Sequence, residues 1–182
     1  MNKIILITLF AINGLLGSCQ KEKTSQSENY GNGPRTNVSS AMQGNWMYGN
    51  FSMTEYWSQN PSEYIGNGFE MAIAFKFYAN GNYEQYFTSK TVSAGIVTYH
   101  QSLTKGSVEI NENAKTIVTH AHSAHYKQTK NGQTMVDRDL SKNEITALTN
   151  YTYEAIIEPN GRKSLHIKMQ GTSNPYAFFQ IF

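Results

Sequence analysis

The chain has 182 residues, of which 39% are hydrophobic, 13% aromatic and 15% charged, with a formal net charge of +2. That length suits one domain with attachments and can bury a core. The even charge balance removes the argument for a nucleic-acid partner or a polybasic membrane-surface protein. A single cysteine, Cys19, excludes an intramolecular disulfide framework and any multi-cysteine zinc site.

Residues 1–18 read as a signal peptide. Lys3 supplies the positive start, and the apolar run over 4–12 is far shorter than the ~20 residues a permanent membrane helix needs. Leu16-Gly17-Ser18-Cys19 follows at once. These four residues resemble the lipobox of bacterial lipoproteins. The resemblance implies cleavage before Cys19 and acyl chains, such as palmitate, on its sulfur and amino group. It also implies anchoring in a bacterial outer membrane, on the periplasmic or the cell-surface face. Several chains at ~0.8 kcal/mol per buried methylene anchor stably where one would not. The competing reading is a secretory peptide that happens to end near a cysteine.

Residues 19–42 then form the lipidated cysteine and a polar tether with little to bury. No Asp follows Cys19, so the inner-membrane retention signal of some enteric bacteria is absent. The charged Lys21-Glu22-Lys23 run is loosely similar to surface-export signals of some Gram-negative lipoproteins.

Residues 43–182 carry the punctuation of antiparallel strands. The apolar stretch 70–78 runs into Ala79-Asn80-Gly81-Asn82, an Asn-Gly turn, and 83–87 returns as its partner. The same grammar pairs 106–110 with 115–119 around 111–114, and 121–128 with 134–138 around 130–133. It then pairs 151–157 with 162–169 around 158–161. The apolar segment 176–182 closes the chain and needs pairing and cover. Helix is confined to a turn or two over 139–148. The expectation is an all-β domain of about eight to ten strands, an antiparallel up-and-down β-barrel or a meander sandwich, with little helix. A barrel leaves the last strand no free edge.

The domain opens on Gly44-Asn45-Trp46. A Gly-x-Trp in the first strand resembles the hallmark of lipocalins and related calycin barrels. There glycine permits a bend and the indole plugs the closed end, its N–H bonded to backbone. Residues 46–52, the pair Tyr56-Trp57 and the stretch 75–83 are similar to a lipocalin-like domain of bacterial lipoproteins. The resemblance covers the first half; beyond Gly95 it rests on strand spacing and the final aromatic strand. The basic residue that packs on the tryptophan in lipocalins has no clear counterpart, with Arg138 and Arg162 as candidates. The resemblance implies a fold and no particular ligand.

Two residue groups are candidates for chemistry. In the run from Thr119 to His125, His120 and His122 share one face of a strand about 7 Å apart. His125 can join them after a bulge at Ser123-Ala124, and His100 from a neighbouring strand. Three imidazoles and a water would hold an open Zn²⁺ site, as in a metal carrier or a hydrolase. Glu109, Glu112 and Asp137 are the acids that could approach. The same histidines also read as ordinary polar residues on a strand face, or as a pH-responsive patch.

The second group is aromatic. Tyr56, Trp57, Tyr64 and Phe69 lie on or beside the connection that would cover a barrel mouth, and they either line a ligand entrance or fill the core. Gly66-Asn67-Gly68 is no phosphate loop, and no Gly-x-Ser-x-Gly elbow or other catalytic motif is present. The leading expectation is a membrane-anchored, non-enzymatic binding protein for a small apolar or amphipathic ligand or an envelope protein, with no cofactor. The alternatives are a His-based zinc protein and a structural envelope component whose barrel is filled.

Overall fold

A computed structural model describes residues 30–60 and 71–182. The signal peptide, Cys19, most of the expected tether, Tyr64 and Phe69 lie outside the described residues. Its regular secondary structure is almost wholly strand: β1 (Gly44–Tyr48), β2 (Met71–Phe77), β3 (Asn82–Ser93), β4 (Ile96–Asn111), β5 (Thr116–Lys130), β6 (Gln133–Asp139), β7 (Leu148–Ile157), β8 (Lys163–Met169) and β9 (Tyr176–Ile181). All pairings are antiparallel, in the order β4-β3-β2-β1-β9-β8-β7-β5-β6 with β4 also paired to β5, so the sheet closes into a ring.

Strands that follow one another in the chain pair with each other except at two places. The first is β1 with β9, where Trp46 lies opposite Gln180 and Met47 opposite Phe179. The second is β5, whose first half pairs with β7 and whose second half pairs with β6. β6 therefore stands outside the ring, on a ribbon that carries β3, β4 and β5 beyond it.

Turn chemistry accounts for the hairpins. Gly81 in the Asn-Gly turn has φ +76°, and a Cβ there would meet the Thr36 carbonyl oxygen at 2.4 Å. Glycine is thus required twice, for the backbone angle and for the N-terminal segment that crosses it. Asn131 and Gly132 both take positive φ in the β5–β6 turn, as expected of such a pair. Ala94 and Gly95 do the same between β3 and β4, a hairpin that the sequence pattern did not flag because alanine rarely adopts that angle.

Inward side chains fill one half of the ring. Trp46, Phe75, Phe77, Val108, Ile117, Leu165, Ile167 and Phe178 are all fully buried there and form one cluster. Each such side chain contributes about 1.5–3 kcal/mol on burial. Phe75 stacks on Phe77 with centroids 5.6 Å apart and meets Tyr151 edge-on. Val38 and Met42 of the preceding segment join this cluster, and the Trp46 indole N–H donates to the Met42 carbonyl at 2.9 Å. That half of the ring is closed.

Three expectations change here. Composition placed Tyr30, Val38 and Met42 in a loose tether, yet all three are buried, because a single apolar residue every few positions is enough to pin a polar segment to a wall. Tyr30 donates to the buried Glu84 carboxylate at 2.6 Å, which Tyr86 and Lys105 also engage. The stretches 115–119 and 121–128 are one strand, β5, rather than two. Over 139–148 the chain forms turns and no helix.

Candidate functional site

The other half of the ring is not filled by its side chains. Below it, Tyr83, Thr119 and Tyr151, all buried, make a layer across the interior. Burial raises both tyrosine pKa values, so both remain neutral hydroxyls. Above this floor, inward positions of β3, β4 and β7 are polar: Gln85, Ser102, Thr104 and Thr149. The result is a cavity of about 440 Å³, within the size range of small-molecule sites.

A lid crosses this cavity. Leu140, Glu144, Ile145 and Thr146, from the β6–β7 connection, line its outer side. The connection is tied down at both ends on β5, through Leu140 N–H to the Ala124 carbonyl and Ala121 N–H to the Ala147 carbonyl, each at 2.8 Å. Between these ties, Glu144 accepts two hydrogen bonds from Arg138, at 3.0 and 2.6 Å, and two from Ser141. Those donors hold the Glu144 carboxyl down at about 2, with Arg138 the largest cause. The cavity thus presents hydroxyls and amides, with its one carboxylate engaged by the lid. Such a lining binds by hydrogen bonding and apolar contact.

The structure disperses the histidines. β5 does carry a bulge, but it falls at His122, opposite Lys105 and Gly106, where a Cβ on Gly106 would meet the His120 carbonyl oxygen at 2.0 Å. His120 and His125 both point outward, opposite Ser107 and Leu103. They are four β4 positions apart, or about 13 Å at ~3.3 Å per residue. His120 pairs with Glu109 at 2.7 Å, and His125 with Asp137 and Asp139, each at 2.7 Å. Burial disfavours the His125 cation, but the bonds and charges of Asp139 and Asp137 outweigh it and raise its pKa. His100 lies on the opposite, inward face and bonds the Tyr126 hydroxyl at 2.6 Å, while His122 is exposed beside Gly31. Among the described residues no group of three His, Cys, Asp or Glu side chains is arranged to hold a metal ion. Two of the acids expected near the histidines, Glu109 and Asp137, do arrive, but as partners in separate ion pairs.

The aromatic pair also lies elsewhere than at the mouth. Residues 51–60 fold down the outer wall, where Phe51 and Tyr56 pack with Met47, Ala72 and Ala74 in a second apolar cluster. The Tyr56 hydroxyl sits between β3 and β4, bonded to the Phe87 carbonyl and to both backbone groups of Ser102. Tyr56 is therefore a structural pin. Trp57 is half-buried on the outside, edge-on to His125 at 4.8 Å. Neither touches the interior cavity. The signal for this was present in 71–77, where Ala72 and Ala74 make the strand apolar on both faces, so its outer face needs cover. Arg138 and Arg162 do not pack on Trp46 either: Arg138 holds the lid, and Arg162 lies 4.5 Å over the Phe179 ring.

The class so defined is an all-β protein whose nine-stranded antiparallel sheet closes into a ring, packed in one half and hollow in the other. Comparison with protein-family models, with curated proteins and with solved structures finds no match to the chain.

Removing the lid clamp tests its role. Arg138→Ala is expected to speed amide hydrogen exchange over residues 140–147 while leaving β4 and β5 unchanged. In the unaltered protein the clamp persists as pH falls from 7 to 4. A carboxylate held at a depressed value stabilises above its ordinary range and loses that effect only as pH falls through the lowered one. Equal exchange in variant and parent would show that the clamp does not hold the lid.

Proposed function

We propose that this protein is a membrane-anchored lipoprotein whose ring is a lipocalin-like barrel, and that it binds a small amphipathic molecule in the hollow half. The supporting observation is the cavity of about 440 Å³ over the Tyr83–Thr119–Tyr151 floor. Its position between a packed end and a lid favours a ligand-holding role over a fully packed structural one. The ligand places an apolar body against Met169 and Ile145 and polar groups against Ser102, Thr104 and Thr149.

Anchoring rests on Leu16-Gly17-Ser18-Cys19. Residues 20–29 reach at most ~35 Å when extended. With Tyr30 fixed to Glu84 on the outer wall, an acylated Cys19 would keep the ring close to the bilayer surface of a bacterial outer membrane. No observation favours a zinc-dependent role.

Titration of the purified protein with the fluorescent apolar probe N-phenyl-1-naphthylamine is expected to show saturable one-site binding. Ala121→Phe, which places a ring in the cavity, abolishes that binding with the fold retained by circular dichroism. Absent binding, or binding indifferent to Ala121→Phe, would overturn the cavity reading. Mass spectrometry of the mature N-terminal peptide is expected to show acylated Cys19; an unmodified cysteine would overturn the anchor.

A further inference from the structure

The ribbon of β3, β4, β5 and β6 ends in two turns held side by side. The Asn131 N–H donates to the Val97 carbonyl at 2.9 Å, and the Asn131 Oδ1 accepts from Val97 N–H at 2.9 Å. This end is apolar and open to solvent. Residues 91–97 carry no charge, and Val92 is 64% exposed, Ile96 46% and Met135 in β6 54%. Val92 lies opposite Val97, and Ser93 opposite Ile96, so Val92 and Ile96 stand on opposite faces of the hairpin. A protein wall would cover one face only. Apolar side chains on both faces of a tip suit entry end-on into an apolar medium.

Charge of one sign gathers just behind the tip. Over 88–101 and 127–136 the ribbon carries Lys90, Lys127 and Lys130 and no acid. The first acids behind it, Asp137 and Asp139, are held by His125 at 2.7 Å each. Lys90 lies opposite Tyr99, and Lys130 opposite Thr98, so a phenol and two ammonium groups sit at one level, a step back from Val92 and Ile96. That order matches a bilayer interface, where acyl chains give way to an aromatic-favouring belt and then to phosphates that long lysine stems can reach.

The N-terminal segment brings this end within reach of an anchored membrane. Thr36 bonds to Val108 and Ile110, whereas Tyr30 bonds to Glu84, which lies opposite Lys105. Passing from Thr36 back to Tyr30 therefore moves along the wall toward the ribbon end. From Glu84 to Val92 is about 26 Å at ~3.3 Å per residue, inside the ~35 Å that residues 20–29 can span. This reach, unlike the tip itself, rests on the reading of Cys19 as the anchor.

We infer that the ribbon end is a second membrane contact, with Val92 and Ile96 entering an anionic bilayer interface and Lys90 and Lys130 meeting its phosphates. The ring would then stand on the membrane at two points, the acyl anchor and the tip.

Ile96→Trp in the full-length chain, reconstituted with vesicles of phosphatidylcholine and phosphatidylglycerol in equal parts, tests this. With the parent emission subtracted, the added indole is expected to shift to the blue and to be quenched by lipids brominated on their acyl chains. Val92→Trp reports the same from the other face should Ile96→Trp fail to fold. Adding Lys90→Glu and Lys130→Glu abolishes the quenching, and Ile157→Trp, exposed at the opposite end of the ring, is not quenched. An unquenched indole at both tip positions would overturn the proposal, as would quenching indifferent to the lysine reversals or equal at Ile157→Trp. The mass of the N-terminal peptide from the same sample keeps the two readings apart. Acylated Cys19 without quenching overturns the tip alone, and quenching with unmodified Cys19 supports the tip and overturns the anchor.

Discussion

Everything in this molecule depends on the last strand reaching the first. β1 and β9 are separated by almost the whole domain, and their pairing converts a run of hairpins into a ring. Without it, the apolar segment Tyr176–Ile181 would be an exposed edge strand with Phe178 and Phe179 unprotected, a template for aggregation. With it, Phe178 enters the interior against Phe75 and Tyr48. Ile181 meanwhile joins the outer cluster beneath residues 51–60. One pairing supplies both the inner core and part of the outer one.

The ring is then finished differently at its two ends. At one, the N-terminal segment folds back so that Val38 and Met42 cap the Trp46 layer. At the other, inward positions of β3, β4 and β7 are polar, and a lid clamped by Arg138 and Glu144 replaces packing. A strand's two-residue period lets each row change character along its length without disturbing the opposite face. Leu103 and Lys105 therefore stay on the outer wall while Ser102 and Thr104, alternating with them, line the cavity. The cavity is a consequence of side-chain size on a continuous scaffold.

Local features were legible in the sequence, and long-range ones were not. Asn80-Gly81 and Asn131-Gly132 announced their turns through residues that tolerate positive φ, whereas Ala94-Gly95 did not, because alanine gives no such signal. The pattern of alternating strands and short turns sufficed for an all-β antiparallel sheet. The histidine run suggested a metal site because spacing along one strand is visible in a sequence. The bulge at His122 and the acids on neighbouring strands, which give His120 and His125 separate partners, are not. Tyr56 and Trp57 stand out as an aromatic pair in a connection, but nothing local tells whether an aromatic loop covers a mouth or an outer wall. The cavity itself was hidden in unremarkable serines and threonines, whose shared face appears only once register is known.

Ring closure is tested most directly by amide hydrogen exchange of the native protein, read at the level of individual strands. Residues 176–181 and 44–48 are expected to exchange as slowly as the central residues of β4 and β5, since all belong to one closed ladder. Rapid exchange in β9 while β4 and β5 stay protected would contradict closure, and with it the packed interior and the cavity above it.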